Sequence, residues 1–241
     1  MGIVLVHGGT FAGSCWDPLL PHLQAPAVAV DLPGRGSRPG DVDMITLADF
    51  TEAVVSEIDA AGWDRTLLVG HSMAGLTLPR VAAERAGDLA GIVFVSCAVP
   101  EHGQTAAEAT DPGIREDAEQ SADAAAPDGE PAVPGDDFFR RMFGNDLDDE
   151  QFAYMLGLMV PEAFGVLQEP TDLSGLEHPI PRFWVRLTLD GIIPPAQQDV
   201  NLTHVGGAEV IELEAGHMAM IGRPAELAAI LDDIAERVGA A

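Results

Sequence analysis

Six short runs of β-branched and apolar residues, at positions 3–6, 27–30, 66–69, 92–95, 183–187 and 210–213, constrain the fold of this chain more than any other feature. Polar on neither face, they have the pattern of strands buried under helices on both sides. Helical patterns lie between them. Leu47, Phe50, Val54 and Ile58 recur at helical spacing behind Thr46, which can cap the helix while Asp49 completes a capping-box pair. Leu227, Ile230, Leu231 and Ile234 form a second apolar face, with Pro224 near the first helical position, where a missing N–H costs nothing. Strand alternating with helix predicts an α/β fold whose mainly parallel sheet is wound by right-handed crossovers.

The alternation fails between about Pro100 and Pro181. The stretch AEQSADAAAPDGEPAVPG, at 118–135, is of low complexity and reads as a mobile loop. Beyond it, Phe152, Met155, Leu156 and Met159 form a helical stripe opened by Asp148 and Gln151. The expected organisation is one core, residues 1–100 and 178–241, with a small helical cap inserted at 101–177. At 241 residues the chain is long enough for one complete hydrophobic core.

Charge narrows the partners. Against 12 basic residues stand 39 acidic ones, a formal charge of −27 that repels phosphate backbones and anionic membrane surfaces. Nucleic acid and membrane are therefore not expected partners. The opening MGIVLVHGG has no basic lead and too short an apolar run for a signal or a membrane span, so a cytoplasmic protein is expected. Cys15 and Cys97 lack metal-ligand spacing and imply no disulfide framework, consistent with two thiols in a reducing compartment. No metal or cofactor is called for.

The segment LLVGHSMAGL, at 67–76, carries the chemistry. A serine that must project from a strand end needs a very tight strand-to-helix turn, which tolerates only small residues near it. Gly70 and Gly75 fit, and Ala74 departs from the usual G-x-S-x-G by one methyl group. If Ser72 is a nucleophile it needs a base and an acid. Asp190 follows the run FWVRL directly, at a strand's carboxyl end, where open α/β sheets place their ligands. Asp199, Glu212 and Glu214 fall in a helix or the last strand and read as solvated. His217 lies just past the last strand, one crossover from Asp190. His22, His102, His178 and His204 read as surface residues, His71 as the variable residue of the turn, and His7 as a shaper of its loop. Gly8 and Gly9 let backbone approach a substrate oxygen, which makes the amides of Gly9 and Met73 the predicted oxyanion donors.

With these pieces placed, the chain resembles the α/β-hydrolase superfamily, within it the branch of plant methylesterases, hydroxynitrile lyases and their bacterial relatives. The segments VLVHGGTFAGSCWDPLLPHL, VAVDLPGRGS, LLVGHSMAGL, VFVSCAVPEHGQT, LDGIIPPAQQ and AGHMAMIGRPAEL carry the resemblance. It implies a six-stranded parallel core under a helical cap, with Ser72, Asp190 and His217 on the family's triad positions and Gly9 and Met73 on its oxyanion donors. Lyases of this branch carry threonine and lysine where this chain has Gly8 and Met218, so cyanide chemistry is disfavoured.

The expected activity is hydrolysis of a small, neutral, hydrophobic carboxylic ester, of methyl-ester or lactone type, by a monomer or homodimer. Phe11, Cys15, Trp16, Met155, Met159 and Phe164 are the predicted pocket walls, with Met73 and Leu158 beside them. Two other uses of the fold compete: C–C cleavage or cyclisation of a polyketide-like intermediate with His217 as base, and a binding protein whose cap closes on a small molecule.

Overall fold

The structure, a computed structural model, describes residues 1–110, 113 and 135–239. The stretch read as a mobile loop lies outside these residues, apart from Gly135. The strands are β1 (Gly2–Val6), β2 (Ala27–Val30), β3 (Thr66–His71), β4 (Leu89–Val95), β5 (Arg182–Leu187) and β6 (Glu209–Leu213). They form one sheet in the order β2-β1-β3-β4-β5-β6, with every neighbouring pair parallel. The sequence reading of both faces as covered holds for β1, β3 and β4, which are buried throughout. It fails at the margins: β2 is mostly half-buried and β6 exposes Glu209, Val210 and Glu212, because an edge strand has a neighbour on one side only.

Successive side chains of a strand point to opposite faces, so the sheet carries two cores. On one face Leu5, Val69, Val93 and Val185 pack with Leu227, Leu231 and Ile234 of α8 (Pro224–Gly239). On the other, Val4, Leu68, Phe94 and Trp184 pack with Phe50, Val54 and Ile58 of α1 (Leu47–Ala61) and Val81 of α2 (Leu78–Arg85). The Thr46–Asp49 capping box opens α1, and Gly62, at φ +63°, closes it in the left-handed conformation glycine adopts without strain.

Among the described residues between β4 and β5 lie α3 (Ala106–Ala109), α4 (Asp136–Met142), α5 (Asp149–Gly157) and the 3₁₀ turns Phe164–Gln168 and Ser174–Glu177. Asp148 and Gln151 cap α5 reciprocally. The helix ends at Gly157, so Met159 lies beyond it. Next, α6 (Pro195–Val205) links β5 to β6, and α7 (Ala219–Gly222) precedes α8.

One consequence for stability follows from the end of β1. His7 is fully buried; its Nδ1 donates to the Gly8 carbonyl at 2.7 Å and its Nε2 accepts the Leu32 amide at 3.3 Å. Burial first, and Arg35 after it, push this imidazole down to about 4. The unfolded chain, at an ordinary 6.5, therefore binds more protons than the folded one between these values, and stability falls as pH falls through that window. The loss amounts to about 3 kcal/mol between pH 7 and pH 4. Denaturant unfolding at the two pH values should show that loss in the wild type relative to a His7→Gln variant. Equal pH dependence in both would contradict it.

Candidate active site

The chain runs outward from β1 to β2 and then returns to β3 on the other side of β1. That reversal opens a crevice at the carboxyl ends of β1 and β3, the place where wound sheets put their ligands. Val6 pairs with Gly70, so the loop after β1 and the turn after β3 leave the sheet side by side. Ser72 stands at φ +54°, left-handed and strained for a residue with a Cβ, as the first residue of a 3₁₀ turn. The turn closes tightly. A Cβ on Gly70 would come within 2.7 Å of Leu78, and one on Gly75 within 2.3 Å of the Ala98 carbonyl. Ala98 in turn donates its amide to the Ser72 carbonyl at 2.9 Å. Ala74 is accommodated because position 70 has no side chain to meet it.

The three side chains singled out from separate strand ends meet here. His217 Nε2 lies 3.0 Å from Ser72 Oγ, and His217 Nδ1 lies 2.7 Å from Asp190 Oδ2. His217 and Asp190 are buried, at 1% and 3% exposure, so the pair is screened from water. Asp190 Oδ1 accepts the amides of Ile192 and Ile193, both at 2.8 Å, which fixes the carboxylate plane in the turn after β5.

Two supporting residues were not recognised from sequence. Ser96, just past β4 at φ +41°, donates its hydroxyl to Asp190 Oδ2 at 2.6 Å, the same oxygen that faces the imidazole. His71, read as a variable turn residue, is buried, and its Nε2 donates to the His217 carbonyl at 2.9 Å. β6 lies three strands away from β3, so this bond ties down the long reach of the loop after β6. Burial, then the neighbouring His217, holds His71 well below the ordinary imidazole range, so it stays neutral beside its partner. Neither role has a local sequence signal, since both bonds join residues about 90 to 150 positions apart. Of the other histidines, His22, His102 and His178 are exposed, whereas His204 is half-buried and bonded to the Val99 carbonyl at 2.7 Å. Cys15 and Cys97 are fully buried, and burial pushes both thiols up, away from the reactive thiolate.

A cavity of about 830 Å³ opens over Ser72. Gly9 and Met73 line it, and no hydrogen bond joins either amide to another described residue. Among the expected walls, Phe164 lines the cavity and is 68% exposed, forming a lip. Phe11, Cys15, Trp16 and Met155 do not line it. All four are buried in the core on the α8 face, because the 3₁₀ turn Gly13–Trp16 folds back against the sheet and α5 points its apolar stripe the same way. Met159 and Leu158 pack half-buried against that core. The walls come instead from Met142 and Phe143 of the insertion and from Ile192, Ile193, Pro194 and Val200 after β5. The Phe143 ring stands edge-on to the His217 imidazole at 5.4 Å. At position 8 there is no room for a side chain, since a Cβ would come within 2.8 Å of the Ser72 Cβ.

The arrangement can draw a proton from a strained, accessible hydroxyl into an imidazole whose far nitrogen is held by a buried carboxylate. Known proteins are similar to this chain over nearly its whole length. A pyrethroid hydrolase of Sphingobium wenxiniae is 25% identical over 97% of this chain and 87% of its own length. Methylesterase 7 of Arabidopsis thaliana is 27% identical over 97% and 96% of the two chains. The solved structure of an extracellular α/β-hydrolase from a Paenibacillus species superimposes with a TM-score of 0.83 at 24% identity, covering 97% of this chain and 98% of that one. The family model described as the alpha/beta hydrolase family matches residues 3–230. A match that spans nearly the whole chain, on a six-stranded parallel sheet of this order, makes this protein a member of the α/β hydrolase family.

Proposed function

We propose that this protein is a serine hydrolase that cleaves small, neutral, hydrophobic carboxylic esters, of methyl-ester or lactone type, through an acyl-enzyme. The observation that carries this reading is the continuous line from Ser72 Oγ through His217 to Asp190, with contacts of 3.0 and 2.7 Å, on the floor of an apolar cavity. Ser72 Oγ attacks the ester carbonyl carbon while its proton passes to His217 Nε2. Asp190 holds the Nδ1–H tautomer and stabilises the imidazolium. The amides of Gly9 and Met73 donate to the oxygen that becomes negative. Collapse of the tetrahedral adduct breaks the C–O bond, and His217 returns the proton to the departing alkoxide. Water then attacks the acyl group by the same route, releasing the acid and restoring Ser72.

The substrate class follows from charge and lining. The Arg35 guanidinium beside the cavity is already paired with Glu162, and the protein's charge of −27 disfavours anions generally. The names of the relatives, a pyrethroid hydrolase and a methylesterase, support ester cleavage in this chain. The test is a serine-directed fluorophosphonate combined with two esters. One equivalent of label should attach to Ser72. p-Nitrophenyl butyrate should be cleaved with kcat/KM about tenfold or more above that of p-nitrophenyl hydrogen glutarate, whose acyl chain ends in a carboxylate. Label on another residue would remove the nucleophile assignment, and equal turnover of the two esters would remove the preference for neutral substrates.

A further inference from the structure

Thr10, the residue after Gly9, stands at φ +61°, a left-handed conformation that β-branched residues rarely adopt. Such a conformation persists only where the surroundings enforce it. Here the insertion enforces it from both sides of the residue: Glu162 Oε2 accepts the Thr10 amide at 2.6 Å, and the Val160 amide donates to the Thr10 carbonyl at 2.9 Å. Thr10 Oγ1 donates to the Gly9 carbonyl at 2.7 Å. The Glu162 carboxylate also lies against Gly9 itself, for a Cβ there would stand 2.9 Å from Oε2.

A buried carboxylate so close to a developing oxyanion would oppose the reaction unless its charge were cancelled. Arg35, in the loop after β2, cancels it. The Arg35 and Glu162 side chains are 0% and 3% exposed. Arg35 NH2 donates to Oε1 and NH1 to Oε2 at 3.4 Å, while NH1 also reaches the Phe11 carbonyl at 3.4 Å. The Ala163 amide completes Oε1 at 2.7 Å. With two donors on each oxygen, the carboxylate has little acceptor capacity left for substrate and is poorly placed as a general base. Its remaining office is to hold a loop.

Resting on the serine hydrolase reading, we propose that Glu162, braced by Arg35, is a positioning residue for the Gly9 oxyanion donor. The insertion thus acts on the chemistry by fixing a backbone amide in the core, in addition to walling the pocket. Because the donor must point at where charge develops, and preorganised donors dominate such sites, loosening this loop should weaken transition-state binding more than substrate binding.

Two variants and two readouts test it. Glu162→Gln must turn an NH2 toward one of the amides that the carboxylate accepts, and it leaves Arg35 without its counter-charge. Arg35→Lys keeps the charge, loses the fork and is the milder change, so it serves where the first variant fails to fold. In Glu162→Gln, amide exchange at Thr10 should quicken about tenfold or more with β1 unchanged. The kcat for p-nitrophenyl butyrate should fall about 10- to 100-fold with KM within about threefold. Affinity for a trifluoromethyl ketone, whose adduct carries the oxyanion, should fall in parallel, while affinity for the matching methyl carbinol stays level. Arg35→Lys should move the same quantities in the same direction by a smaller factor. Unchanged Thr10 exchange in a folded variant, or lost turnover without lost ketone affinity, would overturn the proposal. A wild-type protein that cleaves no ester would count against hydrolysis, and the exchange measurement would still decide whether the clamp exists.

Discussion

Ser72→Ala should lower kcat for a neutral p-nitrophenyl ester by about 10⁴- to 10⁶-fold while leaving the fold intact. The size follows from the proposed mechanism, in which the site acts as a unit: without the oxygen, His217 would have no proton to take, and what survives would be the stabilisation that the Gly9 and Met73 amides and the pocket give to attack by water. The intact fold follows from what the serine side chain does in the resting protein. Among the described residues its one hydrogen bond is to His217, and its carbonyl, held by the Ala98 amide, is unchanged by the substitution. The left-handed φ of +54° is as strained for alanine as for serine, so the midpoint of thermal unfolding should stay within a few degrees. Steady-state kinetics with active protein counted independently of Ser72, together with a thermal melt, measures both. Turnover within tenfold of wild type would place the chemistry elsewhere, on His217 acting as a base without a nucleophilic serine.

The parts of this molecule that could be read from its residues are those with a local cause. A run such as Leu67–Val69 that is apolar throughout has few ways to be buried, and a serine between Gly70 and Gly75 has few reasons to be so tightly flanked. Asp190 and His217 could be singled out because each lies within four residues of a strand's carboxyl end, and strand ends of a parallel sheet face one side. The pocket walls lacked such a cause. Nothing local distinguishes a loop that folds back on the sheet from one that faces a cavity, so Phe11, Cys15 and Trp16 were assigned to the wrong side of theirs. Met155 illustrates the same limit on a helix: an apolar stripe states that it is buried and leaves open against what. Conversely, Ile192 to Pro194 are absent from the expected walls and line the cavity.

The polar supports were hidden for a different reason. Ser96 and His71 are each set by one long-range bond, to Asp190 and to the His217 carbonyl, and Glu162 by long-range bonds to the Thr10 amide and to Arg35. A hydroxyl, an imidazole and a carboxylate are each common enough that only their partners mark them out. The backbone does mark two of these places, since Ser96 and Thr10, with Ser72, are the described non-glycine residues at positive φ. Strain of that kind collects where side chains or amides must be aimed.

Asp190→Asn should cost about 10⁴-fold in kcat with little change in KM, and the reason lies in the two amides behind the acid. Ile192 and Ile193 donate to Oδ1, so an asparagine must keep its carbonyl oxygen there; turning its NH2 toward those donors would leave buried polar groups facing like. The NH2 is then forced into the position of Oδ2, 2.7 Å from His217 Nδ1 and 2.6 Å from Ser96 Oγ. It donates to Nδ1, which must therefore be unprotonated, and the ring's proton sits on Nε2 facing Ser72. An imidazole in that tautomer cannot accept the serine's proton, although every heavy atom is in place. Substrate binding, set by the cavity walls, is left nearly as it was. Steady-state kinetics of the variant, with NMR of the imidazole nitrogens to identify the protonated one, separates this from mere disorder. A loss below tenfold with the proton still on Nδ1 would mean that the carboxylate is not what holds the imidazole for proton transfer.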